Sequence, residues 1–173
     1  MVIIFDIETT GLDPQNNIVI LIGMKRKNKI KQWKLWKIKD EAKMILEAIE
    51  EIEKVDQNET IVGYNNLKFD VPFMLRRLEI LKKMKPEFWK KIHDKKWFDL
   101  YQYLGDDYKS LKFWSLKAGI KRSFPELSGK HVPTFYKNKE FKKIEQHNKD
   151  DLETSERLFE FLKEKNPEFI PFK

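Results

Sequence analysis

No cysteine occurs anywhere in the 173 residues. Disulfides and thiolate metal sites are excluded by that absence, and the cytoplasm is the simplest setting for such a chain. Histidine is scarce, three in all, which leaves a zinc site short of the ligands it favours. No apolar run approaches the ~20 residues of a membrane span, and no basic stretch precedes a cleavable apolar one, so neither a membrane anchor nor a secretory leader is expected. Repeats, low-complexity tracts and linkers are missing as well, and at this length one domain over residues 1–173 is expected. What is plentiful is charge. With 36% charged and 40% hydrophobic residues the composition is that of a soluble globular protein, and a net charge of +7 leans toward a polyanionic partner.

Periodicity divides the chain into a mixed α/β pattern. Residues 2–8, 18–28 and 29–39 read as three strands, the last two as antiparallel neighbours. Residues 40–55 form a helix with Asp40 as its cap and Ala42, Ile45, Ile49 and Ile52 at helical spacing. A short strand, "ETIVGYNN", leads through a loop into a helix with Pro72 in its first turn. "KKWFDLYQYL" holds a last short strand and "SLKFWSLKAGI" a short helix. Residues 123–139 have no period, and residues 140–164 make one long helix. Strands followed by alternating helices and strands predict a mixed sheet, antiparallel first and then parallel, flanked by helices.

Three acidic motifs stand out. In "IIFDIETTGLD" the strand alternation puts Ile4, Asp6 and Glu8 on one face and Ile3, Phe5 and Ile7 on the other. The run is apolar enough to be buried on both faces, so two like charges there need a cationic companion. In "GYNNLKFDVPFM", Asp70 stands directly before a helix, where it serves equally well as a helix cap or as a ligand. In "IEQHNKDDLETSERLFEFL", the inward stripe runs Ile144, Asn148, Asp151, Ser155, Leu158 and Leu162. Asp150 falls on the flank, where a solvated position is expected, and His147 lies one turn before Asp151.

The motifs themselves contain no arginine or lysine placed to neutralise Asp6, Glu8, Asp70 and Asp151 together. Divalent cations would do so, and oxygen donors of this kind suit Mg²⁺ or Mn²⁺. Two such ions ~3.5–4 Å apart form a clamp for phosphodiester hydrolysis. The basic run 25–39, with eight Lys or Arg and two Trp, has two readings. Either Trp33 or Trp36 stacks on nucleic-acid bases, or the lysines guard an outer strand pair against edge association. His93 is expected at the surface.

In that order, "FDIETTGLD", "GYNNLKFDVPF" and "HNKDDLETSERLF" resemble the three motifs of the DnaQ-like (DEDD) 3′–5′ exonuclease superfamily, which has the ribonuclease H-like fold. The resemblance is nearest to its YprB-like branch and spans residues 2 to about 162. It implies a metal-dependent exonuclease acting on DNA or RNA, with two divalent cations held by Asp6, Glu8, Asp70 and Asp151 and with His147 as the general base. It also implies that Thr9, Thr10, Gly11 and Leu12 lie against the terminal nucleotide, that Asn65 and Phe69 line the strand's path, and that Asp99 supports the site without binding metal. One departure concerns the base: relatives place His five residues before the last Asp or Tyr four before, and here His147 stands at the tyrosine spacing. A structure-specific endonuclease on the same fold and a non-catalytic nucleic-acid-binding module are the alternatives.

Overall fold

The computed structural model describes residues 1–105 and 109–166. Among these residues five strands form one sheet in the order β3-β2-β1-β4-β5. β1 (Val2–Thr9), β2 (Val19–Arg26) and β3 (Lys29–Lys34) are antiparallel. β4 (Thr60–Gly63) joins β1 in parallel, and β5 (Lys96–Asp99) joins β4 in parallel. The fold is thus the mixed sheet, antiparallel first and then parallel, that the pattern predicts, and it agrees with the fold that the resemblance implies.

Period-two alternation decides what each face meets. Ile3, Phe5 and Ile7 point into a core shared with the helices α2 (Glu41–Glu53), α3 (Asp70–Ile80) and α4 (Pro86–His93). Ile4 points the other way, into a core with Val62, Phe98 and the residues Leu152, Leu158 and Phe159 of the long helix α8 (Phe141–Lys165). Asp6 and Glu8 follow Ile4 in phase, so the face that carries them is the face α8 covers. Asp40 caps α2 as expected, accepting from Lys43 N at 2.9 Å, and Ser110 caps α6 (Leu111–Lys117) through Phe113 N at 3.2 Å. Among the described residues no helix is long and apolar enough to cross a membrane.

Two local expectations change. β3 ends at Lys34, and residues 35–38 form a helical turn, α1 (Leu35–Ile38), closed by Lys39 in the left-handed region at φ 61°. The turn carries the chain off the sheet edge to the start of α2, and it lets Trp36 stack on Phe141 of α8 with ring centres 4.6 Å apart. Trp33 is buried beneath Lys31. Both tryptophans are therefore committed to packing, and β3 is an outer strand as the second reading of that run requires. The aperiodic segment 123–139 also contains a 3₁₀ turn at Gly129–His131 and the short helix α7 (Val132–Lys137). These are too short to show a period. Between β5 and α6 the turn α5 (Leu100–Tyr103) completes the elements, and His93 is exposed, stacked on Trp89.

Candidate active site

β1 runs past the end of β4, which pairs only with Val2, Ile3 and Ile4. The backbone of Phe5 and Ile7 on that side must therefore find other partners. Side chains from the β4–α3 connection supply them: Asn66 Nδ2 donates to Phe5 O at 3.1 Å, and Ile7 N donates to Asp70 Oδ1 at 2.9 Å. Asp70 is thus the first residue of α3 and not its cap; Phe69 holds the cap position. The hydrogen bond to Ile7 pins its carboxyl against the stretch of β1 between Asp6 and Glu8. The connection itself is clamped by Asp99, which is buried at the end of β5 and accepts from Asn65 N (2.8 Å), Leu67 N (3.0 Å) and Tyr101 N (3.0 Å). Asn65 takes the left-handed conformation, φ 66°, that this tight course demands.

On the opposite side of β1, Asp6 pairs in register with Gly23 of β2. A Cβ at Gly23 would lie 2.1 Å from Asn148 Oδ1. The missing side chain is the slot through which Asn148 of α8 reaches the strand, donating from Nδ2 to Asp6 Oδ2 at 2.8 Å. Gln32 fixes the amide by donating to Asn148 Oδ1 at 3.0 Å. Glu8 is buried, and its Oε1 has no hydrogen-bond partner.

α8 also brings His147, Asp150 and Asp151. His147 Nε2 lies 3.7 Å from Asp151 Oδ2 and 3.9 Å from Glu8 Oε1, and its Nδ1 is buried without a partner. Asp150 is not solvated as its flank position suggested: it is fully buried. The reason is Arg122, from the segment between α6 and the 3₁₀ turn. Its Nε donates to Asp150 Oδ2 at 2.8 Å and its Nη2 to Asp151 Oδ1, while Ser123 N donates to Asp150 Oδ1 at 2.8 Å. A cation that the three motifs do not contain is thus supplied from outside them.

The substrate-side residues fall into two groups. Leu12 is 83% exposed at the tip of the β1–β2 loop. It shares a groove of about 510 Å³ with Asp6, Asp151, Asn65, Tyr64 and Lys109. Thr9, Thr10 and Gly11 shape the loop: Thr9 Oγ1 donates to Gly11 O at 2.8 Å, Ile18 N donates to Thr10 Oγ1 at 3.0 Å, and a Cβ at Gly11 would meet Asn17 Oδ1 at 2.4 Å. Phe69 is partly buried against the α2–α3 core, its ring 5.4 Å from that of Phe73, and does not line the groove.

Electrostatically the centre is a surplus of negative charge in a dry place. Burial first, then the neighbouring carboxylates, holds Asp6 and Glu8 well above the usual carboxylate range. Burial pushes Asp70 up to about 7 against the opposing hydrogen bond from Ile7. Asp151 is raised by burial too, with His147 and Arg122 pulling it back. Burial holds His147 below the usual imidazole range, so it is neutral at pH 7. Among the described residues no three His, Asp or Glu side chains converge in this conformation to hold a metal ion. The donor chemistry nevertheless fits one: four carboxylates that resist ionising beside one another, and a buried Glu8 oxygen with nothing to bind. Arg122 holds the fourth carboxylate aside.

Arg122, Asp150 and the Gly23–Asn148 contact are what the sequence did not disclose. Arg122 sits in an aperiodic stretch, 28 residues from Asp150. Its one trace in the sequence was indirect, an inward carboxylate set with no companion charge.

A family model described as the RNase_H superfamily matches residues 3–163. Among solved structures, the family B DNA polymerase of the hyperthermophilic archaeon Pyrobaculum calidifontis is similar at 20% identity and a TM-score of 0.70, over 95% of this chain and 24% of that one. E. coli exonuclease I in complex with a dT13 oligonucleotide is similar at 13% identity and a TM-score of 0.61, over 96% of this chain and 40% of that one. The zinc-bound form of the E. coli exonuclease I–ssDNA complex gives 12% identity and 0.62, over 96% and 41%. This chain therefore spans less than half the length of each of these proteins. No curated protein sequence matches it.

Proposed function

This chain belongs to the ribonuclease H superfamily, and from that premise we propose that it is a metal-dependent 3′–5′ exonuclease that releases nucleoside monophosphates from DNA or RNA. One observation carries the reading. Asp6 and Glu8 from β1, Asp70 from the start of α3 and Asp151 from α8 lie around one end of the sheet, Glu8 and Asp70 buried and Asp6 and Asp151 partly so, all raised in pKa and under-compensated. No folding advantage explains that arrangement, because like charges brought together out of water destabilise the native state. Oligonucleotide complexes of exonuclease I among the similar structures support a nucleic-acid substrate.

Asp6, Glu8, Asp70 and Asp151 would hold the cations, two Mg²⁺ or Mn²⁺. When bound they supply an activated water and a counter-charge for the leaving oxygen. The chain's own groups do the rest. His147, neutral and within 4 Å of Glu8 and Asp151, accepts the proton of the attacking water at Nε2. The Asp99 clamp keeps Asn65 at the groove wall, and Leu12 presents an apolar edge on which a terminal base can rest.

A 5′-labelled single strand with Mn²⁺ tests the reading. A ladder of progressively shorter products is expected. A single internal cut would replace the exonuclease by an endonuclease, and binding without cleavage at any divalent cation would leave only a nucleic-acid-binding module.

A further inference from the structure

Arg122 makes two bonds of different character. Asp150 is fully buried, and its second oxygen is taken by Ser123 N, so it is a fixed anchor. Asp151 retains 19% side-chain exposure, and its second oxygen faces His147 without a hydrogen bond, so it is free to turn. A single guanidinium therefore spans one immobile carboxylate and one movable one. Its positive charge also bears on Asp6 and Glu8, whose carboxylates it stabilises in the ionised form. With Asp151 turned to Arg122, no three carboxylate or imidazole side chains among the described residues gather as a metal site would require.

We propose that Arg122 is a positioning residue that acts as a resident counter-cation: it holds Asp151 toward the 118–123 segment, and an incoming divalent cation must take that carboxylate from it. The proposal rests on the reading of the centre as a cation site. Its consequence is that the protein binds cation more weakly than its four carboxylates alone would, because the ion has to displace a bonded guanidinium and then endure its charge nearby. Asp150 governs how firmly the guanidinium is retained.

The test uses Mn²⁺ alone, without nucleic acid, titrated calorimetrically at pH 7.5. Arg122→Met by itself strands the buried Asp150 charge and endangers the fold, so the informative variant is Arg122→Met/Asp150→Asn, in which the amide oxygen can still accept from Ser123 N. Folded by circular dichroism, it should bind Mn²⁺ about tenfold more tightly than wild type. Equal or weaker binding overturns the proposal, because a merely structural arginine would leave affinity alone or impair it. The unaltered protein gives a second measurement. It has five arginines, so their side-chain Nε–H resonances can be resolved during a Mg²⁺ titration. Arg122 should shift along the cation-binding curve while Arg77 stays still. A silent Arg122 at saturating Mg²⁺ overturns this proposal only, whereas no cation binding by wild type at all overturns the functional reading as well.

Discussion

Arg77 and Arg122 are both buried arginines bound to carboxylates, and they differ in their arithmetic. Arg77 meets one carboxylate: its Nε and Nη2 donate to Glu41 at 2.9 and 2.8 Å, and its Nη1 donates to Pro14 O at 2.8 Å. Glu41 in turn accepts from Val19 N at 2.8 Å. Charge is matched one to one, the geometry is bidentate, and the result is a clamp that ties α2 and α3 to the loop after β1. Arg122 meets two carboxylates, Asp150 and Asp151, and its charge bears on two more, Asp6 and Glu8. A matched buried pair fixes a fold; an unmatched one leaves charge that, on the proposed function, another cation would neutralise.

The largest expected effect comes from removing a member of the surplus. Asp6→Asn keeps an acceptor for Asn148 and discards the charge, so turnover of a labelled strand in Mn²⁺ should fall to background while the metal-free protein melts at the same temperature or higher. A variant that stays active, or that melts far below wild type, would make Asp6 structural like Glu41. His147→Ala should come next, losing ~10²–10⁴-fold in turnover at saturating Mn²⁺ with cation affinity nearly unchanged. His147→Tyr should recover much of that loss, given the tyrosine spacing, and a Tyr variant no faster than Ala would show that imidazole is needed.

Arg77→Leu probes the other arginine. It leaves Glu41 buried and unpaired, so chemical denaturation should show a loss of ~3–5 kcal/mol, with turnover per folded molecule unchanged. Lost turnover in the folded variant would erase the distinction between the two arginines.

The gentlest probe is pH. Asp70 titrates near 7 in the folded protein and near 4 when unfolded. The folded state then holds more protons across that window, so stability of the metal-free protein should decline as pH rises from about 4 to 7, by up to ~1.4 kcal/mol per unit for each such group. Asp6, Glu8 and Asp151 act in the same direction. Melting temperature against pH in EDTA checks this, and added Mg²⁺ should raise it more at pH 8 than at pH 5. A melting temperature that climbs from pH 4 to 7 in EDTA would mean the carboxylates are already matched.

The amino-acid sequence disclosed whatever repeats along the chain. Alternation placed Asp6 and Glu8 on the face opposite Phe5, and the 3.6-residue period put Asn148 and Asp151 on the inner stripe of α8. Both readings need only a local regularity and a core to enforce it. The misplacement of Asp150 shows the limit. Its burial is decided by Arg122, whose position follows from how an aperiodic segment packs and leaves no trace in the spacing of residues. The end of β3 escaped for a related reason: "KLWKIK" continues a strand-like alternation, but the chain has to leave the sheet edge there to begin α2. Gly23 likewise looks like any strand glycine until Asn148 is seen to need its empty side.

The bond from Asn148 to Asp6 closes a loop of 142 residues. It makes the centre a property of the finished chain. The β1–β2–β3 meander, by contrast, joins neighbours in sequence, and Asp6 and Glu8 emerge early in synthesis with no helix α8 to meet them. At the ~5–20 residues per second of translation, many seconds separate Asp6 from His147 and Asp151. On the proposed function, the nascent protein carries during that interval part of the cation site and not yet the proposed base. On that function, a molecule interrupted before residue 147 should leave nucleic acid uncut, and so should one cleaved between α7 and α8 that loses its last helix.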